Sequence, residues 1–237
     1  MIAFDPVSAL PSKWSLKPED TYGLVFWTRD ATNLVVAADQ LRAYPLVVHY
    51  TLTGWHEVEK GSPSVQKALD TMSATVDAFG PEKVVWRFSP VPIVEDILPR
   101  FERIASAVRA MGIREVYLSF LQENDLVPET RSARIRRELL KQMAARTFLQ
   151  IQLCAEDSTL TGPVGQQGKT NLGRGICESG QRFGHDPSPT EGCGCALAVD
   201  PFTINESCTF GCAYCYAADK TLTPKKRNTT KHLRVLK

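Results

Sequence analysis

Two helix-plus-strand cassettes of the same design lie back to back in this chain and restrict its fold more than any other feature. In the first, Val65, Leu69, Met72, Val76 and Phe79 recur at helical spacing, opened by Ser62 or Ser64 and stopped by Gly80 and Pro81. In the second, Ile97, Phe101, Ile104, Val108 and Met111 repeat the stripe, and Gly112 closes it. Each stripe runs into a short β-branched or aromatic segment, Val84 to Phe88 and Glu115 to Phe120, of the kind that forms strands. Gly23 to Trp27, Leu46 to Leu52 and Gln150 to Cys154 are further strands on the same criterion, with helices over Asn33 to Tyr44 and Arg131 to Arg146. Strands and helices alternating at this length build parallel βα units.

Parallel βα units close into a barrel or lie open as a doubly wound sheet, and both bind ligands at the carboxyl ends of their strands. Polar residues follow each expected strand: Thr28-Arg29-Asp30, Thr51-Leu52-Thr53, Arg87, Ser119 with Gln122-Glu123, and Cys154-Ala155-Glu156. Exposure alone makes many such loops polar. Their recurrence at every strand end favours one shared site. The expected fold is therefore α/β, with residues 1–157 forming a whole or partial TIM-like barrel.

Beyond Ser158 the pattern changes. Thr161 to Gly175 and Glu178 to Gly194 are rich in Gly, Pro, Ser, Thr and Gln and carry no apolar period. A stretch of this length is either disordered or ordered by something other than a hydrophobic core, and its cysteines favour a metal. All seven cysteines, Cys154, Cys177, Cys193, Cys195, Cys208, Cys212 and Cys215, fall at or after position 154. The expected division is thus 1–157, a cysteine-rich region 158–219, and a basic tail 220–237. That tail holds seven Lys and Arg residues and no acid, which leaves the remainder of a +2 chain at −5. The protein is no general nucleic-acid binder, although the tail itself could meet phosphate.

No apolar run approaches the roughly 20 residues of a membrane span, and the 43% apolar content is too high for a disordered chain. Met1 to Trp14 has neither the basic start nor the apolar stretch of a secretory signal, so the expected address is the cytoplasm. In that compartment clustered cysteines bind metal or act in catalysis rather than form disulfides.

The sharpest motif is Cys208-Thr-Phe-Gly-Cys212-Ala-Tyr-Cys215. Three thiolates at this spacing can turn to one centre, with Gly211 permitting the bend, and soft thiolates select zinc, Cu(I) or iron-sulfur iron. Zinc would need a fourth ligand, which Cys193, Cys195 or His185 could supply. A four-iron cluster held by three cysteines would keep one iron open to substrate. Cys154, Cys177, Cys193 and Cys195 remain: enough for a second [4Fe-4S] cluster, for structural zinc, or for unconnected thiols. The histidines show no paired metal spacing, and Trp27, Trp55 and Trp86 suit packing better than a stacking cage. Glu123, Asp125, Glu156 and Asp157 could bind a cofactor amine or ribose, or simply carry surface charge.

Cys-x3-Cys-x2-Cys with an aromatic residue before the last cysteine, here Tyr214, resembles the radical S-adenosylmethionine signature. More closely, Gly192-Cys-Gly-Cys195, Asp200, Asn205 and Cys208 to Ala217, together with Leu24 to Thr28, Val85-Trp-Arg87 and Cys154-Ala-Glu156, resemble a family catalogued as a domain of unknown function, DUF1848. The radical-enzyme resemblance implies that Cys208, Cys212 and Cys215 hold a [4Fe-4S] cluster whose open iron chelates S-adenosylmethionine, with Tyr214 near the adenine. It implies reductive cleavage to a 5′-deoxyadenosyl radical that attacks a substrate of unknown identity, and an electron donor such as flavodoxin or ferredoxin. Thr28, Arg29 and Asp30 stand where a turn binding the cofactor amine would be expected. In radical enzymes the signature usually follows the first strand, so its late position implies a permuted barrel, with Leu197 to Val199 as the preceding strand. Family members also carry a further N-terminal strand and helix with a Ser-Arg-Arg-Thr-Asp-like stretch, which would make the barrel here a partial one. Electron transfer or sensing without catalysis, and a zinc-stabilised nucleic-acid-binding module, are the alternative functions.

Overall fold

The strands expected from the two cassettes and their neighbours form, and they lie side by side in chain order. The computed structural model describes residues 17–21, 23–92, 94–120, 133–154, 156, 160, 162–164, 170–174, 183 and 210–214. Its elements are β1 (Leu24–Thr28), α1 (Thr32–Val36), α2 (Ala38–Leu41), β2 (Leu46–Thr51), α3 (Val65–Phe79), β3 (Val84–Val91) and α4 (Ile97–Ala110). They continue with β4 (Glu115–Phe120), α5 (Ala133–Ala145), β5 (Gln150–Leu153), β6 (Gly162–Val164) and β7 (Thr170–Arg174).

The strand order is β1-β2-β3-β4-β5-β7-β6, and every neighbouring pair is parallel except β6 with β7. A doubly wound sheet reverses direction partway along, whereas β1 to β5 run in uninterrupted sequence. Right-handed crossovers in such a series put the connecting helices on one face. That face carries the main core: Tyr50 and Leu52, Trp86 and Phe88, Val116 and Leu118, and Ile151 and Leu153 alternate inward from their strands. They meet Met72, Phe101, Ile104, Leu140 and Met143 from the helices.

Two expectations change. Among the described residues the six parallel strands form one sheet that is not closed, with no ladder joining its two edges, β1 and β6, where a partial or circularly permuted TIM-like barrel was expected. The antiparallel β6 ends the parallel run at that edge. Second, the stretch Thr161 to Gly175, expected to lack regular structure, contributes β6 and β7. Leu160 and Leu172 bury in the main core, and Gly173 pairs beside Gln152, whose amide fills the space a Cβ would take. β7 thereby joins the main sheet through β5 with only one apolar anchor in a Thr-Asn-Leu-Gly-Arg segment, too little to stand out as a strand pattern.

The helices follow their stripes with a small rotation. In α3 the fully buried residues are Ala68, Met72, Thr75 and Phe79, while Val65, Leu69 and Val76 flank the contact. The short side chains of Ala68 and Thr75 let the helix approach the sheet, and the Thr75 hydroxyl donates back to the Thr71 carbonyl at 2.7 Å. In α4 Ile97, Phe101, Ile104 and Val108 are buried as the spacing implies. The single helix expected over Asn33 to Tyr44 is divided into α1 and α2 at Ala37, whose ψ of 9° leaves the helical range. Ser64 caps α3 by accepting from the Lys67 amide at 3.3 Å. Ser64→Ala should cost about 1 kcal/mol in urea unfolding, and an unchanged midpoint would show that the cap contributes nothing.

No helix among the described residues is long and apolar enough to cross a membrane. Leu197 to Val199 and the tail 220–237 lie outside the described residues.

Candidate functional site

The carboxyl ends of β1 and β2 carry the loops on which the cysteine motif rests. After β1, the Thr28 hydroxyl donates to the Asp30 carbonyl at 2.7 Å, and the Asp30 carboxylate accepts from the Thr32 amide at 3.0 Å and from the Thr32 hydroxyl at 2.5 Å. The bonds from Thr32 hold the Asp30 carboxyl below the usual carboxylate range. Thr28 and Asp30 therefore shape the turn and the start of α1. Arg29, between them, is 14% exposed and turns towards the loop that follows β2.

That loop begins at Gly54, whose φ of 69° bends the chain off the strand, and its carbonyl accepts from Arg100 Nη1 at 2.8 Å. Successive turns then bury Glu59 to 2% exposure. Both carboxylate oxygens of Glu59 are used: Oε2 accepts from the Thr53 hydroxyl at 2.5 Å, and Oε1 lies 3.0 Å from Arg29 Nη2. Burial of a charge is tolerated when it is paired and hydrogen-bonded in this way.

The cysteine motif reaches the same place from the far end of the chain. Gly211 has a φ of 57°, so the bend expected there is made in the left-handed region that glycine adopts without steric cost. Two backbone bonds dock the loop on the segment after β2: the Gly61 amide donates to the Phe210 carbonyl at 2.9 Å, and the Ala213 amide to the Val58 carbonyl at 2.8 Å. Cys212 is buried at 5% exposure. Tyr214 stacks on Trp55 with ring centroids 6.0 Å apart and planes 15° from parallel. Its hydroxyl accepts from Arg29 Nη2 at 2.5 Å and donates to Glu59 Oε1.

Electrostatics follow from this burial. Desolvation raises the Tyr214 pKa and Glu59 raises it further, against the opposing effect of Arg29, so the hydroxyl keeps its proton and remains a donor. Burial on its own would lower the Arg29 pKa, but Tyr214, Glu59 and Cys212 together outweigh it and hold the guanidinium charged. Beside this network lies a small, open cleft lined among others by Arg29, Thr51, Thr53, His56, Glu59 and Ser62.

Other sequence candidates lie farther along the sheet. Arg87 on β3 donates to the Cys154 sulfur at 3.7 Å. Cys154 packs with Val25 and Phe183 against Val47, Val85 and Tyr117 on the face opposite the helices. Glu156 accepts from the Phe120 amide at 2.7 Å and from Arg136 Nη1 at 3.2 Å, so its carboxylate ties β4 to α5. Cys177, Cys193, Cys195, Cys208 and Cys215, with Glu123, Asp125 and Asp157, lie outside the described residues. No group of three or more His, Cys, Asp or Glu side chains among the described residues could hold a metal ion, Cys212 being the one member of the triplet described.

Glu59 went unrecognised in the sequence. Its environment depends on Arg29, 30 positions earlier, and Tyr214, 155 later. The only local signal was a polar loop after a strand, Thr53-Gly-Trp-His-Glu-Val-Glu59.

Fold and site define an α/β protein of serial parallel strands with a cysteine loop docked at their carboxyl ends. The model of DUF1848, a domain of unknown function, matches residues 2–217, and the chain belongs to that family. A search of curated proteins found no match.

Proposed function

We propose that this protein is an iron-sulfur enzyme of the radical S-adenosylmethionine type. The observation that carries the proposal is Cys212, buried in a glycine-turned loop of a Cys-x3-Cys-x2-Cys motif and docked at the carboxyl ends of β1 and β2. Ligand sites of parallel α/β proteins lie at those ends. Three thiolates are a donor set that suits a [4Fe-4S] cluster with one iron left open, so Cys208, Cys212 and Cys215 would hold it. The chemistry available with such a group bound would be one-electron cleavage of a carbon–sulfur bond of S-adenosylmethionine, giving methionine and a 5′-deoxyadenosyl radical, the electron being supplied by a flavodoxin- or ferredoxin-like donor.

The chain's own part is to bind, orient and exclude water. Trp55, Tyr214 and the buried face of the Cys212 loop shield one side of the site. Arg29 holds a positive charge in the same buried network as Cys212. Thr51 and His56 bring polar groups to the adjoining cleft. The serial strand order supports a partial barrel as the setting. A second cluster would draw on Cys154, Cys177, Cys193 and Cys195.

Electron paramagnetic resonance of anaerobically reconstituted, dithionite-reduced protein tests this reading. The expected result is a reduced-cluster signal that changes on adding S-adenosylmethionine, with 5′-deoxyadenosine in the quenched mixture. A signal indifferent to the cofactor would replace the proposal with electron transfer or sensing, and a colourless protein containing zinc would replace it with a structural metal site.

A further inference from the structure

We propose that Arg29, Glu59 and Tyr214 form a buried latch that sets the position of the Cys212 loop on the βα scaffold, making Arg29 and Glu59 positioning residues for the metal centre. The inference rests on the iron-sulfur reading above and adds roles for two side chains that do not ligate metal. Three elements distant in the chain meet in it: the turn after β1, the loop after β2 and the cysteine motif. The Tyr214 hydroxyl is the common node, accepting from the guanidinium and donating to the carboxylate. Thr53 occupies the remaining oxygen of Glu59, so the carboxylate is held from both sides and cannot follow the tyrosine if the loop moves. Trp55 fixes the tilt of the Tyr214 ring, and the bonds Gly61 to Phe210 and Ala213 to Val58 set the height of the loop above the scaffold.

The chemistry explains the choice of residues. A loop with two direct backbone bonds to its support could rock about them. A side-chain anchor two residues beyond Cys212, made of charge-assisted hydrogen bonds in a water-poor site, removes that freedom. Phenylalanine at position 214 would keep the stack on Trp55 and lose the node. Glutamine at position 59 would keep the shape and lose the charge that pairs with Arg29.

Tyr214→Phe and Glu59→Gln, singly and together, test the latch, with Cys212→Ala as reference. Two readouts are used on the full chain. The first, on metal-free protein, is hydrogen exchange of the Gly61 and Ala213 amides, which report docking of the loop directly. The second, on reconstituted protein, is the rate of iron loss to a chelator, together with the line shape of the reduced-cluster resonance. Each single variant should speed both exchange and iron loss about tenfold, as expected from losing a hydrogen bond to a charged group, and should broaden the resonance. The double variant should be little worse than either single one, since both break the same node. Exchange at Gly61 and Ala213 unchanged in Tyr214→Phe and Glu59→Gln would overturn the latch. So would unchanged iron retention in them when Cys212→Ala loses its iron, and in that case the ligand assignment would stand. Wild-type protein that takes up no iron would remove the metal reading and this inference with it, while faster amide exchange in the same variants would still record the docking contact.

Discussion

Cys212→Ala should leave reconstituted protein without the reduced-cluster resonance and lower its iron from about four per chain at this site to none. The β-sheet and its helices should remain folded, because the residues that hold them together lie elsewhere. The main core is built from β2 to β5 and the faces of α3, α4 and α5, whereas Cys212 sits in a loop attached to the segment after β2 by backbone bonds. Truncating one side chain of that loop leaves the main core intact, so circular dichroism and the urea midpoint should change little. Full iron content with an unaltered resonance would refute the assignment of Cys212 as a ligand. Cys154→Ala gives the contrast. It packs on the opposite face of the sheet beside Arg87, and its loss should spare the signal that responds to S-adenosylmethionine. If a second cluster exists, total iron should fall from about eight to about four in that variant.

Trp86→Ala should destabilise the fold by about 3–5 kcal/mol, the range for emptying an aromatic site in a core. Trp86 is fully buried on β3, stacked on Phe101 of α4 at 5.4 Å and edge-on to Phe88 at 5.5 Å. Its indole also donates to the Leu52 carbonyl at 2.9 Å, which ties β3 to the chain just before Thr53 and Gly54. The substitution thus removes packing between sheet and helix and the support under the loop that carries Glu59. Trp86→Phe separates the two effects, since it retains most of the ring contact and loses the donor, and about 1–2 kcal/mol of the total should remain. Trp27→Ala, at a half-exposed position on the edge strand β1, should cost far less. A loss below about 1 kcal/mol for Trp86→Ala in urea unfolding would mean that this cluster is not where the fold is held.

Much of the architecture was legible because its signals are local. The stripes in α3 and α4, with Gly80 and Gly112 at positive φ directly after them, mark helix and turn through residues only a few positions apart. β4 spans the same Glu115 to Phe120 that its β-branched and aromatic residues outline. β6 and β7 were not legible, since β7 owes its place to pairing with β5 and to Leu172 entering a core assembled from distant segments.

At the site the division is similar. The cysteine spacing and the Gly211 bend lie within eight consecutive residues, so the motif is visible in the sequence alone. Arg29 and Tyr214 stood out separately, the first at a strand end and the second inside the motif, and nothing in either segment joined them. Their partner Glu59 looked like one of several acids in a polar loop.

The sequence by itself determined the parallel βα repeat, the positions of most helices and strands, and the Cys-x3-Cys-x2-Cys spacing towards the far end of the chain. Each of these depends on periodicity or spacing within a short segment. Only the tertiary structure decided that the sheet is not closed among the described residues, that Gly162–Val164 and Thr170–Arg174 extend it, and that the cysteine loop rests on Arg29 and Glu59. Those depend on free energy gained between groups up to 185 positions apart, where burial turns an ordinary arginine, glutamate and tyrosine into a single hydrogen-bonded unit.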